Sequence, residues 1–287
     1  MKLYPVECGN FMLDGGAMFG VVPKSLWSKT NPADAGNMIK MSARCLLIEE
    51  NNRLILIDTG MGNKQSGKFF GYYYLWGSHN LDDSLRKHGF HRDDITDVFM
   101  THLHFDHCGG SIQWNADKTG YEPAFKNAVF WSNEDHWQWA THPNPREKPS
   151  FLPENILPIQ ESGQLRFIPV PQKGNYLENA EPGFDILFAD GHTDKQMIPH
   201  IRYKGKTLVF VADLLPTTGH IPLAYVMGYD TRPLITLSEK AAFLDTAARE
   251  NYYIFLEHDP YSELCTLQHT EKGVRLKDTH TFNEIFN

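Results

Sequence analysis

The chain has 287 residues, 41% hydrophobic and 22% charged, a composition that excludes disorder as its dominant state. Its net charge of −8, a pI near 5.9 and the lack of any long Lys/Arg block leave no basic footprint for a nucleic-acid backbone. No apolar run is long enough for a signal-peptide core or for the roughly 20 residues of a bilayer span. The expectation is a single domain over 1–287 in the cytoplasm, with neither a membrane nor a nucleic acid as partner. Cys8, Cys45, Cys108 and Cys265 are scattered without a CxxC pair and read as free thiols. Cys108, the one nearest suspected chemistry, reads as a small buried apolar group.

In chain order, "FMLDGGAMFGVVP" reads as a hairpin turning at Asp14, Gly15 and Gly16 and presenting Met18 and Phe19. "ARCLLIEENNRLILIDTG" follows as two β runs joined at Asn51 and Asn52, the second ending at Asp58. "KFFGYYYLW" packs six aromatics into nine residues, including Phe69, Phe70 and Tyr73. "HNLDDSLRKHG" predicts a helix capped by Asn80 and stopped by Gly89, and "ITDVFMTH" a strand that delivers "THLHFDH" at its carboxyl end. Between about Asn115 and Asn179 the chain is rich in Pro and aromatic residues, with one helix predicted in "SNEDHWQWA" under a Ser132 cap. "FDILFADGHT" and "KTLVFVADLL" are apolar β runs leading to His192 and Asp213. "TLSEKAAFLDTAAREN" carries a Thr236 to Glu239 capping box, and the strand "YYIFLEHD" closes the series at His258.

Four β runs thus end in His or Asp, and strand ends are where a rigid scaffold can gather side chains from distant sequence. Zinc and its neighbours take imidazole nitrogen and carboxylate oxygen, which HxHxDH supplies within six positions. One such loop can serve two ions, with His102 and His104 on one and Asp106 and His107 on the other. His192, Asp213 and His258 would complete the shells, and the Asp213 carboxylate could bridge.

These residues resemble the metallo-β-lactamase superfamily, on "IDTG" at 57–60, "THLHFDH" at 101–107, "DGHT" at 190–193, "VADLL" at 211–215 and "EHD" at 257–259. The resemblance implies an αββα sandwich with the site at one edge. It implies a first metal on His102, His104 and His192, a second on Asp106, His107 and His258, and Asp213 bridging. It gives Asp58 the role of supporting a ligand histidine. The implied cofactors are two divalent ions, zinc foremost, with manganese, iron and cobalt also suited to such a site. The implied reaction is hydrolysis of a small molecule by a hydroxide shared between the ions, with Asp106 and Asp213 as the catalytic carboxylates.

Only 29 residues follow His258, too few for the helical region of hydroxyacylglutathione hydrolases, and the acidic chain lacks the basic surfaces of nuclease branches. The length, ligand set and short tail resemble the N-acyl homoserine lactonases and related organophosphate hydrolases. Lactone or ester hydrolysis is therefore expected, with phosphotriester or phosphodiester hydrolysis, or a non-catalytic metal or redox protein, as alternatives. One departure stands out. Lactonases of this group often carry Tyr three residues after the bridging Asp, where this chain has Pro216, so a donor to the leaving oxygen must come from elsewhere. His220 and Tyr225 are the nearest candidates. Met18, Phe19, Phe69, Phe70 and Tyr73 are the expected apolar walls of the pocket, and the same aromatic surface also suits a homodimer interface.

Overall fold

The computed structural model describes residues 1–286 and resolves two compact units: Met1–Gly9 with Ala43–Gly183, and Asn10–Ser42 with Phe184–Asn287. The sheet of the first unit runs in the order Lys2–Asp14, Met38–Glu50, Arg53–Ile57, Asp97–Phe99, Val129–Ser132 and Leu165–Phe167. The far ends of its first two strands belong to the second unit. Glu50 lies opposite Arg53 across the expected Asn51–Asn52 turn, with Asn51 at φ 53°. From there every neighbour is parallel, Leu56 facing Val98, Val98 facing Phe130, and Phe130 facing Leu165. Parallel strands covered on both faces need apolar side chains on both, which explains "LILI" and "VFM" where alternation would otherwise be expected.

Leu47, Leu56, Val98 and Phe130 join Leu85, Trp137, Ile156 and Ile159 from the helices Leu81–Lys87, Glu134–Thr141 and Pro153–Glu161 in one core. Each such burial contributes about 1.5–3 kcal/mol. Asn80 caps the first helix by accepting from the Asp83 N–H at 2.9 Å, and Gly89 leaves it at φ 84°, as expected. The second helix is capped by Asn133, which accepts from the His136 N–H, and not by Ser132. Ser132 is still paired with Phe167 in the sheet, so its backbone is committed before the helix begins.

In the second unit the strands run in the order Gly273–His280, Leu264–Thr270, Tyr253–Phe255, Lys206–Phe210, Gln196–Tyr203 and Phe184–Ala189. All pairs are antiparallel except Lys206–Phe210 with Tyr253–Phe255. A parallel pair needs a crossover, and the helix Pro233–Arg249 supplies it, packing Phe243, Leu244 and Ala247 on Val209, Val211, Ile254 and Leu256.

Two local expectations change here. The crossover helix starts at Pro233, which has no N–H to leave unpaired, so Thr236 lies inside it and forms no capping box with Glu239. Asp14 does not turn a hairpin; its carboxylate caps the short helix Gly15–Phe19 by accepting from the Ala17 N–H at 2.7 Å and from Asn37 Nδ2 at 2.9 Å. Gly15 is required there because a Cβ would meet the Trp27 ring at 2.3 Å. Among the described residues no helix is long and apolar enough to cross a membrane.

Candidate metal centre

The carboxyl ends of Arg53–Ile57 and Asp97–Phe99 lie side by side, because these strands are parallel, and Asp58 and the HxHxDH segment leave the sheet there. The Asp58 N–H donates to the Phe99 carbonyl at 2.9 Å, and its backbone turns into the left-handed region at φ 57°. Its fully buried carboxylate accepts from the Thr101 N–H at 2.8 Å, the Thr101 hydroxyl at 2.7 Å and His107 Nδ1 at 3.0 Å.

Those bonds settle proton positions further on. The single hydroxyl proton of Thr101 is given to Asp58, so Thr101 Oγ1 must accept from His102 Nδ1, 3.1 Å away. His102 Nε2 and His107 Nε2 are left as lone-pair nitrogens. His104 Nε2 faces Glu147 Oε1 at 3.4 Å, a buried carboxylate that also accepts from Trp139 Nε1 and Asn144 Nδ2, each at 2.7 Å. His104 Nδ1 lies 3.1 Å from His102 Nε2, so either His104 donates its proton there or both nitrogens turn lone pairs on each other. Two lone pairs so close repel unless a cation lies on both.

The second unit repeats this logic. His192 Nδ1 donates to Asp230 at 2.8 Å and His258 Nδ1 to the Ser42 carbonyl at 2.8 Å, so in each neutral ring Nε2 carries the lone pair. These face the two oxygens of Asp213, at 3.2 and 3.1 Å. An imidazole lone pair aimed at a carboxylate oxygen again needs a cation. The donor set, imidazoles held in one tautomer by carboxylates and carbonyls, fits a divalent transition metal. Each unit therefore carries His and Asp side chains of the types that could bind metal.

The ligand segments are locked by close backbone approach. A Cβ on Gly109 would lie 2.2 Å from the Met61 carbonyl oxygen, and one on Gly110 2.2 Å from that of Thr59, which explains "CGG" after the last histidine. Lys64, buried and pushed down to about 8 by its burial, donates to the Gly109 carbonyl at 2.5 Å. Burial pushes the Cys108 thiol up to about 12, and it donates to the Leu103 carbonyl, so it is a packing group rather than a nucleophile. In the second unit Glu239 accepts the N–H groups of Asp190 and Gly191 at 2.7 and 3.0 Å, tying the "DGHT" loop to the crossover helix.

The predicted wall residues divide into two groups. Phe69 and Tyr73 gather at 5.4 and 4.8 Å around Phe105, inside the metal motif, while Phe70 packs edge-on to Phe69. Tyr72, Tyr74 and Leu75 point outward and are more than half exposed. Met18 and Phe19 are buried, and Phe19 stacks between Trp27 at 5.3 Å and His220 at 4.2 Å. His220 spends both ring nitrogens on the chain itself, Nε2 donating to the Met18 carbonyl at 2.9 Å and Nδ1 meeting Thr217 Oγ1 at 2.8 Å. Burial holds it down to about 3, a neutral ring within the scaffold. Tyr225 stands edge-on to Phe19 and lines a recess with Asp213, Pro216 and His220.

Reasoning from the sequence missed Thr101, Glu147, Asp230 and Glu239, whose roles come from partners remote in sequence. Thr101 alone carried a local signal, as a hydroxyl directly before the first histidine.

A family model described as the Metallo-beta-lactamase superfamily matches residues 40–258. N-acyl homoserine lactonase AiiA of Bacillus thuringiensis subsp. kurstaki is 24% identical over 270 residues, 90% of this chain and 93% of that protein. An N-acyl homoserine lactonase of Bacillus cereus is 25% identical over 273 residues, with the same shares of each chain. The crystal structure of a probable metal-dependent hydrolase from Staphylococcus aureus matches with a TM-score of 0.84 at 28% identity over 98% of both chains. AidC, a dizinc quorum-quenching lactonase, matches in fold with a TM-score of 0.77 at 22% identity over 98% of this chain and 95% of that one. The chain belongs to the Metallo-beta-lactamase superfamily and has its fold, the αββα class that the resemblance implied.

Proposed function

We propose that the protein is a dinuclear-metal-dependent hydrolase that opens lactones or related esters, with N-acyl homoserine lactones as the leading substrate class. The observation that carries this reading is the set of imidazole nitrogens facing one another and facing Asp213, with His102, His107, His192 and His258 each hydrogen-bonded from behind through Nδ1. The names of the relatives, N-acyl homoserine lactonases over nine-tenths of the chain, support the substrate class. His102, His104 and His192 would hold one ion, Asp106, His107 and His258 the other, and Asp213 both. Bound divalent ions, of which zinc is the leading candidate, supply acidification of a water and polarisation of the substrate carbonyl.

The chain's own groups do the rest. Asp58, Asp230, Glu147 and the Ser42 carbonyl keep the imidazoles oriented and basic. Asp106, buried beside His107, accepts a proton from the attacking water and returns it to the departing oxygen. Phe69, Tyr73 and Phe105 offer a half-buried apolar wall to an acyl chain. Met18, Phe19 and His220 brace the site from within the second unit.

The test is metal analysis of the purified protein, followed by a panel of N-acyl lactones, aryl esters and phosphotriesters. Close to two divalent ions per chain and lactone opening are expected. His104→Ala and Asp213→Asn should each lose more than the roughly 10- to 100-fold that removing a supporting residue costs. Metal-loaded protein that opens no lactone refutes the substrate class, and protein that takes up no metal refutes the mechanism.

A further inference from the structure

The segment after Asp213, residues 215–232, lines a recess beside that carboxylate and is built of short turns rather than a continuous helix or strand. It is held from below by an unusual group. Lys240, on the crossover helix, is 1% exposed, and its Nζ donates to the carbonyls of Pro222 at 3.1 Å, Leu223 at 3.4 Å and Tyr225 at 2.8 Å. Three carbonyls use all three donors of an ammonium, and a buried charge is retained only where such partners satisfy it. An apolar residue would suit the rest of this helix face, which packs Phe243, Leu244 and Ala247.

What the three carbonyls share is the turn that presents Tyr225. Its N–H donates to the Pro222 carbonyl at 2.8 Å, and the ring stands edge-on to Phe19, itself stacked on His220 and Trp27. Just beyond it the Gly228 N–H donates to the Ala17 carbonyl at 2.8 Å. The backbone is thus held by hydrogen bonds and the ring by its edge-on contact with Phe19, while the Tyr225 hydroxyl makes no hydrogen bond with the described residues and the residue stays partly exposed. His220, which also lines this recess, has both ring nitrogens engaged within the chain, whereas the Thr236 hydroxyl on the same recess is fully buried.

We propose that Lys240 is a positioning residue, whose ammonium grips the 222–225 turn so that the Tyr225 hydroxyl stands over the Asp213 side of the recess and donates to a substrate oxygen. This rests on the hydrolytic reading above. Opening an ester or lactone puts negative charge first on the carbonyl oxygen and then on the departing alkoxide, and a fixed donor stabilises that charge without reorganising. Burial pushes the Lys240 ammonium down to about 7, a shift that the Asp230 carboxylate opposes.

The test combines amide hydrogen exchange with steady-state kinetics on metal-loaded Lys240→Met, Lys240→Arg, Tyr225→Phe and the Met/Phe double variant. Lys240→Met should speed exchange at the 225–228 amides at least tenfold and lower kcat about tenfold or more, with metal content unchanged. Lys240→Arg, which keeps a cation, should recover part of that loss. Tyr225→Phe should lower kcat similarly with exchange unchanged, and the double variant should be no slower than the slower single one. Lys240→Gln replaces the Met variant if the latter does not fold. Unchanged exchange in the Lys240 variants overturns the clamp, and additive losses or a Tyr225→Phe variant within twofold of wild type overturns the role of the hydroxyl. A wild-type protein that opens no lactone or ester overturns the hydrolytic reading and the hydroxyl's role with it, whereas the exchange arm still decides the clamp.

Discussion

Asp58→Asn isolates what the buried carboxylate does, because the change keeps its shape and Asn tolerates the left-handed backbone at φ 57°. The amide oxygen can still accept from the Thr101 N–H, but the NH2 group then faces His107 Nδ1, which donates to Asp58 at 3.0 Å in the native chain. Two donors cannot share that line, so the imidazole must carry its proton on Nε2 and lose the lone pair aimed at the metal. Thr101, no longer donating to a carboxylate, also ceases to dictate the tautomer of His102. Weakening two charge-assisted bonds costs about 2–4 kcal/mol of stability, and losing ligand orientation costs about 10- to 100-fold in metal affinity, or roughly 1.4–2.7 kcal/mol.

Asp58→Ala separates the two effects. It leaves three donors without an acceptor and puts a Cβ-bearing residue without a compensating side chain at positive φ, adding about 1–2 kcal/mol. It therefore unfolds more easily than the Asn variant, yet it frees His107 rather than forcing the wrong tautomer. Urea unfolding of the apoprotein should rank Ala below Asn in stability, and chelator competition should rank Asn below Ala in metal affinity. Metal binding by Asp58→Asn at wild-type affinity, or the same ranking in both assays, would refute the tautomer argument.

Gly109→Ala places a methyl 2.2 Å from the Met61 carbonyl oxygen, and since backbone must move, a loss of about 1–3 kcal/mol or more in urea unfolding is expected together with lost activity. Removing the metal with a chelator should lower the thermal midpoint by several degrees, because an ion at a hundredfold excess over its Kd contributes about 2.7 kcal/mol. An unchanged midpoint would mean that the facing lone pairs need no cation. His200, held down to about 4 chiefly by burial and opposed by its bond to the Ile198 carbonyl, stays neutral when folded while the unfolded chain protonates near 6.5. The unfolded state binds the extra proton, so stability falls as pH drops from 6.5 towards 4, by about 1.4 kcal/mol per pH unit for this group. His200→Leu should flatten that acid limb by the same slope in unfolding measured from pH 6 to 4, and an unaltered limb would rule His200 out as its source.

Much of the candidate metal centre was legible along the chain because metal chemistry demands particular residue types at particular places. Only imidazole and carboxylate bind such ions well, and only rigid strand ends can aim them, so apolar β runs leading to His102–His107, His192, Asp213 and His258 stood out. The parallel pairing that sets Asp58 beside Thr101 came only from the fold, although strands this uniformly apolar suit it. Local boundaries were less legible. Ser132 had the chemistry of a cap but was held in the sheet, and Thr236 with Glu239 had the spacing of a capping box while the helix began at Pro233. In both places tertiary pairing outweighed local preference.

Only the folded chain decided the supporting layer. Asp230 holds His192 from 38 residues away, Glu147 reaches His104 out of a proline-rich loop, and Lys240 grips a turn that no periodicity announces. Such groups need only the right distance and burial, conditions that leave no pattern in the linear sequence. Residue type thus determined which side chains could bind metal, whereas three-dimensional packing decided which partner stands behind each imidazole and which turn Lys240 holds.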